Sequence, residues 1–290
     1  MSSALTRHKR APQFIVSTDL DGTFLDHHTY EWQAALPAVE SLAAKSIPII
    51  FNTSKTFAEV MDLQKTTSLY GPAITENGSA LYLPKQDFTE AFCQFENSDY
   101  IEQENHWQIV FGKTKPLITQ FIQQWRLQNG HLLEGYSDWT IEKIMQMTDL
   151  PQAKAQQSAD KAFSEPFIWQ GNEQQLHQLK SDAAKAGLQI LQGGRFYHLQ
   201  GNCDKGQPLL WLKRRFMAAF ELDGSQAPKL ICLGDNKNDI QMLNIADFPV
   251  CVKSPVAPYP TLTTQHSIIQ TKGYGPVGWN EAIQSIIEQH

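Results

Sequence analysis

The acidic, hydroxyl and cationic residues of this chain that could act together fall into four short clusters. These are Asp19 with Asp21, Thr53 with Ser54, Lys205, and Asp235 with Asn238 and Asp239. An aspartate is anionic at neutral pH, can attack phosphorus, and forms an acyl phosphate that water hydrolyses. A hard divalent cation offsets the repulsion between that carboxylate and a phosphate. Magnesium prefers few carboxylates plus waters, and Asp19 and Asp235 are its natural ligands. Asp21, two residues beyond Asp19, suits a general acid that protonates the leaving oxygen and then activates water. A hydroxyl from Thr53, or from Ser54, and the ammonium of Lys205 suit the non-transferring oxygens, where charge gathers in the transition state. The set matches phosphoryl transfer through a covalent aspartyl phosphate.

The elements that carry these residues can be read from the apolar pattern. Phe14 to Val16 is a short apolar run ending in Ser17-Thr18-Asp19, and Ile47 to Phe51 ends in Asn52-Thr53-Ser54-Lys55. Both read as buried strands with polar residues at the C-terminal exit. Between them Pro37 opens a helix in which Val39, Leu42 and Ala43 share a face. Strand, helix, strand predicts a parallel sheet, and the strand exits of such a sheet share one edge, where residues distant in sequence meet. A helix is expected from about Thr56 to Thr67, and a strand, an Asn77-Gly78 turn and a returning strand over Pro72 to Leu83. The pattern resumes with a helix over Leu209 to Phe220, strands over Lys229 to Leu233 and Phe248 to Val252, and a last helix over Val277 to Ile287. Between lie residues 85–200, richer in Gln and aromatics, with helical stretches near Lys115 to Gln128 and Gln174 to Ala186. The expected division is therefore a core of 1–84 and 201–290 with 85–200 inserted as a second domain.

Composition narrows the classes. At 290 residues, with 41% hydrophobic and 19% charged residues, the chain can bury a large core and matches neither a disordered nor a membrane protein. A formal net charge of -6 with scattered cations argues against a nucleic-acid partner. Cys93, Cys203, Cys232 and Cys251 are far apart without a CxxC pair and read as buried reduced thiols. The N-terminus is basic, but only a short apolar run follows it. Neither a signal peptide nor a membrane span is expected, and the cytoplasm is the default compartment.

In chain order, DLDGT at Asp19 to Thr23, NTSKT at Asn52 to Thr56, Lys205, and GDNKND at Gly234 to Asp239 resemble the four motifs of the haloacid dehalogenase-like (HAD) phosphatase superfamily. The resemblance implies an α/β fold, a Rossmann-like parallel-sheet core with an α/β cap inserted between the second and third motifs. It implies Asp19 as nucleophile and magnesium ligand, and Asp21 as acid/base and backbone-carbonyl ligand. Thr53 and Lys205 become phosphate binders and Asp235 a magnesium ligand. Asn238 and Asp239 support phosphate and metal from close by, with Asp239 either on the metal or behind its ligands.

More narrowly, NTSKT, ENGSAL, SEPF at Ser164 to Phe167, GGRFYHLQG at Gly193 to Gly201 and the tail GYGPVGW are similar to mannosyl-3-phosphoglycerate phosphatases. The implied substrate is a small molecule carrying a carboxylate, a phosphate and a sugar. Arg195 could pair with the carboxylate through its two-pronged donor geometry, and Glu165 could accept sugar hydroxyls. Lys55 beside the phosphate loop and His198 are weaker candidates. Trp107, Trp125, Trp139 and Trp169 read as packing within the cap. A phosphomutase would use the same aspartate pair, and a catalytically silent binding module would have to explain why that pair is intact.

Overall fold

Phe14–Thr18 (β1) is buried at all five positions, as a strand with neighbours on both edges and layers on both faces must be. Its side chains alternate between two cores. Phe14 and Val16 pack with Leu42, Trp279 and Ile283 on one face, and Ile15 packs with Leu209, Leu212 and Met242 on the other. This gives a three-layer α/β/α core. The computed structural model describes residues 6, 10–192 and 195–289.

In chain order β1 is followed by α1 (Leu36–Ala44), β2 (Ile49–Asn52), α2 (Phe57–Thr67), β3 (Ala73–Thr75), β4 (Ala80–Pro84), α3 (Glu90–Cys93), β5 (Tyr100–Glu102) and β6 (His106–Val110). A second group comprises α4 (Lys115–Asn129), β7 (Leu133–Gly135), α5 (Ile141–Thr148), α6 (Gln152–Ala159), β8 (Ser164–Trp169), α7 (Glu173–Lys185), β9 (Leu188–Gln192) and β10 (Tyr197–Gly201). The chain closes with α8 (Gly206–Ala219), β11 (Lys229–Gly234), α9 (Ile240–Asn244), β12 (Phe248–Lys253), β13 (Ile269–Tyr274) and α10 (Gly275–Gln289).

The large sheet has the order β13-β12-β11-β1-β2-β3-β4-β6-β5. Pairing is parallel from β13 through β3 and antiparallel from β3 to β5. From β1 the chain builds outward through β2 and β3 on one side and later through β11, β12 and β13 on the other. The order therefore reverses at β1, and a crevice opens at the carboxyl ends of β1, β2 and β11, where ligands bind in open α/β sheets.

The second sheet is antiparallel, β7-β8-β10-β9. Ile118, Ile122, Leu179 and Ala183 of α4 and α7 cover one of its faces together with Phe167 and Leu199. Strands β5 and β6 fall inside 85–200 yet continue the large sheet, so the change of sheet comes after Val110 rather than at Lys85. β5 is a three-residue edge strand and β6 the strand next to it, both with mixed residue types and no clean period of two for the eye to catch. Trp107 goes with them. It packs against Phe88 and Phe92 in the large core, not in the cap as its sequence neighbourhood suggested, whereas Trp125 and Trp169 do pack under the small sheet. Gly193 and Gly194 of the GGRFYHLQG segment lie outside the described residues, as does most of the basic N-terminal segment. All four cysteines are buried and unpaired. Among the described residues no helix is long and apolar enough to cross a membrane.

Candidate active site

At the exit of β1 the chain turns at once. The Asp19 amide donates to Leu233 O of β11 at 2.9 Å, and Gly22 takes φ +81. A Cβ at Gly22 would lie 2.9 Å from Asp235 Oδ2, so this position needs glycine both for its backbone conformation and for the approach of β11's carboxylate. Thr23 then donates its hydroxyl to Asp235 Oδ1 at 3.1 Å. Behind β1, the indole of Trp279 on α10 donates to Thr18 Oγ1 at 3.0 Å.

Asp19, Lys205 and Asp239 form one buried group. The Lys205 ammonium, fully inaccessible, lies 2.5 Å from Asp19 Oδ1 and 2.7 Å from Asp239 Oδ1. Burial alone would lower the Lys205 pKa, but the two carboxylates outweigh it and hold the group above its ordinary range. Its backbone is fixed by Asn52, whose amide donates to Lys205 O at 2.9 Å and to Ser17 Oγ at 3.2 Å. Burial pushes the Asp19 carboxyl up to about 7 against the pull of Lys205. Asp235 is pushed up to about 6, by burial first and the Asp19 charge second. Asp239 is raised by burial despite Lys205.

Three buried carboxylates against one ammonium leave the site short of positive charge, which is the condition a bound divalent cation relieves. Asp19, Asp235 and Asp239 each offer an oxygen within 4.8 Å of the others. They are not equivalent donors. Asp239 already gives Oδ1 to Lys205, while its Oδ2 accepts the amides of Asp235 and Asn236 at 3.1 and 3.0 Å. Asp19 and Asp235 keep more capacity, so a cation fits between those two, with Asp239 shaping the loop behind them.

The second cluster is equally defined. Thr53 is buried at the exit of β2, and its Oγ1 accepts the Lys55 amide at 3.2 Å. It does not cap α2. Thr56 does so, in a reciprocal pair with Glu59, so the Thr53 hydroxyl is not spent on a helix terminus. Ser54 is half-buried, and its carbonyl accepts Lys161 Nζ from across the sheet boundary at 3.0 Å. Lys55 Nζ sits 2.7 Å from Asp21 Oδ2, and the other Asp21 oxygen is buried with no hydrogen-bond partner. Asn238 donates to Asn77 Oδ1 at 3.1 Å, tying the GDNKND loop to the turn after β3.

The two cap candidates stand apart from this group. Glu165 pairs across β8 and β10 with Leu199, which puts it on the helix-covered face of the small sheet. There it is buried and takes hydrogen bonds from the Ser137 amide and hydroxyl and an ion pair from Lys115. Arg195 is exposed and donates to Met147 O and Asp149 near the end of α5. Neither is brought into contact with the aspartate group. Missed in the sequence were Asn52, Thr23, Glu76 and Trp279, which touch the aspartate–lysine group or the residues that frame it. Each lies inside a motif already noted, in NTSKT, DLDGT, ENGSAL and GYGPVGW, and position within a motif was the available signal.

The fold and this cluster define a phosphohydrolase of the haloacid dehalogenase-like class. The sucrose-6F-phosphate phosphohydrolase family profile matches residues 12–133. The chain is 35% identical to a glucosyl-3-phosphoglycerate/mannosyl-3-phosphoglycerate phosphatase of Persephonella marina over 95% of this chain and 97% of that one. It is 34% identical to a protein of the same description from Methanococcoides burtonii, over 94% and 97%. The chain belongs to this glucosyl-3-phosphoglycerate/mannosyl-3-phosphoglycerate phosphatase family. A HAD-superfamily phosphatase of Bacteroides thetaiotaomicron shares the fold with a TM-score of 0.62 at 15% identity, covering 97% of this chain and 96% of its own. The sucrose-phosphatase of Synechocystis does so at 0.57 and 15%, covering 96% and 97%.

Proposed function

We propose that this chain is a magnesium-dependent phosphatase that removes the phosphate of a glycosyl-3-phosphoglycerate, mannosyl or glucosyl, leaving the glycosyl glycerate. The observation that carries the chemistry is the buried Asp19–Lys205–Asp239 group with Asp235 beside it: an acid excess at the reversal point of a parallel sheet. Kinship over nearly the whole chain supports the substrate class. Four buried, unpaired cysteines support a reducing compartment, the cytoplasm. The partner is this small phosphorylated molecule, not a nucleic acid.

Asp19 attacks phosphorus through a carboxylate oxygen while the ester bond to the glycerate breaks. Lys205 already touches Asp19, and with the Thr53 hydroxyl it receives the non-transferring oxygens, with Ser54 flanking. Asp21 gives a proton to the departing glycerate oxygen, then takes one from the water that hydrolyses the aspartyl phosphate. A magnesium ion held by Asp19 and Asp235 would supply charge neutralisation between nucleophile and phosphate. Asn238 and Asp239 hold the loop that carries Asp235. The cap in this reading runs from about residue 113 to 200 and closes over the crevice.

The test is phosphate release, with and without magnesium, from mannosyl- and glucosyl-3-phosphoglycerate, hexose phosphates and 3-phosphoglycerate, with Asp19→Asn and Asp21→Asn alongside. The expected result is a preference for a glycosyl phosphoglycerate, no turnover by Asp19→Asn, and a loss of about 10²–10⁴-fold in kcat for Asp21→Asn. Full activity in Asp19→Asn would overturn the mechanism, and preference for a plain hexose phosphate would overturn the substrate.

A further inference from the structure

A glycosyl-3-phosphoglycerate presents two anions, and the groups described so far account for one of them. The phosphate has Lys205 and Thr53, and the ester oxygen has Asp21. In a 3-phosphoglycerate the carboxylate carbon follows the ester oxygen by two carbons, roughly 4 Å away. Its receptor must therefore sit at the rim of the phosphate loop and must have charge to spare.

Most cations near the crevice are already neutralised. Lys205 is held by Asp19 and Asp239, Lys55 by Asp21, Lys115 by Glu165 and Arg195 by Asp149. Lys161 differs. It is half-buried, and among the described residues its ammonium has no ion pair and one hydrogen bond, to the neutral carbonyl of Ser54, the residue next to Thr53. An ammonium has three donors, so two remain for a ligand. Its position is not accidental drift of a long side chain. The next three residues are clasped to the core, because Glu76 accepts the amides of Ala162 and Phe163 and the hydroxyl of Ser164 at 2.8, 3.2 and 2.5 Å.

His198 lies close by on the cap sheet. Its neighbours Tyr197 and Leu199 pack with α4 and α7, so alternation puts His198 on the opposite face of the small sheet. Its imidazole makes no hydrogen bond to any described residue, and burial beside Lys161 keeps it neutral with its pKa pushed down to about 4. A neutral donor and acceptor next to an unpaired cation suits a carboxylate flanked by hydroxyls, and would suit a second phosphate less well.

We infer that Lys161 is the specificity residue that receives the glycerate carboxylate, with His198 beside it as a neutral hydrogen-bonding partner. This rests on the substrate class proposed above and replaces Arg195 in that role.

The experiment compares glucosyl-3-phosphoglycerate with its analogue in which the carboxylate is reduced to a hydroxymethyl group, using wild type, Lys161→Gln and Lys161→Arg. Loss of a charge-assisted hydrogen bond predicts a fall of about 10- to 100-fold in kcat/KM for Lys161→Gln on the carboxylate substrate, carried mainly by KM. Turnover of the analogue should stay within about twofold, and Lys161→Arg should restore most of the loss. Equal losses on both substrates, or none on either, would overturn the inference while leaving the substrate class standing. A wild type that does not distinguish the two substrates would overturn both together.

Discussion

At the scale of single residues, side chains here are set by what surrounds their charge. His198 illustrates this with a sign that can be worked out. Its pKa lies near 4 in the folded chain and near 6.5 when unfolded, so between those values the unfolded state binds more protons. Stability is therefore complete above about pH 6.5 and declines as the pH falls toward 4, by an amount on the order of 3 kcal/mol at most. Chemical denaturation of wild type and His198→Gln at pH 7.5 and pH 5 measures it. The gap in stability between the two pH values should shrink in the variant, and an unchanged gap would mean that other groups govern the acid limb. Much at this scale was legible beforehand. Asp19, Thr53, Lys205 and Asp235 each follow an apolar run or precede a helix, and a parallel topology then obliges them to meet. The roles of Glu165 and Arg195 were not legible, because the face a strand residue occupies depends on its partner strand's register and an arginine's partner lies wherever the fold brings a carboxylate.

At the scale of elements, catalytic geometry depends on groups that never touch a phosphate. Helix α10 seats Trp279, fully buried, edge-on to Phe24 with its indole donating to Thr18, one residue before Asp19. Trp279→Phe keeps most of the apolar contact and leaves the hydroxyl of Thr18 without that donor. The expected cost is about 1–3 kcal/mol, seen as a shift in the midpoint of chemical denaturation, together with a modest drop in kcat as the Asp19 turn loosens. An unchanged midpoint would reduce the indole to a space-filling role. The long helices and the buried strands were readable because period and length are strong signals there. Strand β13, α5 and α6 were not read, and neither was the membership of β5 and β6 in the large sheet. Short or edge-lying elements acquire their structure from neighbours more than from their own pattern.

At the scale of the whole molecule, the question is what joins the small sheet to the large one. The two linkers run side by side: a Cβ at Gly201 would lie 2.5 Å from Lys113 N, so only glycine lets them approach this closely. A pair of adjacent crossings permits a hinge, and the Glu76 clasp opposes its motion. Glu76 is buried, and it takes φ 47, a conformation a residue with a long side chain adopts only when something else compensates. The compensation is its three hydrogen bonds to residues 162–164, and opening must break them in part or in full. Hydrogen bonds to an ionised acceptor contribute about 1.5–3 kcal/mol each, enough to decide the balance between closed and open forms. Glu76→Gln removes the charge and one acceptor while keeping the volume. Small-angle scattering of the ligand-free variant should give a larger radius of gyration than wild type, and a phosphate mimic with magnesium should restore the compact form. Turnover should show a raised KM with the chemical step little changed, since the aspartate group is untouched. If the variant is as compact as wild type and its KM is unaltered, the clasp is only a structural joint and closure is governed by the ligand itself.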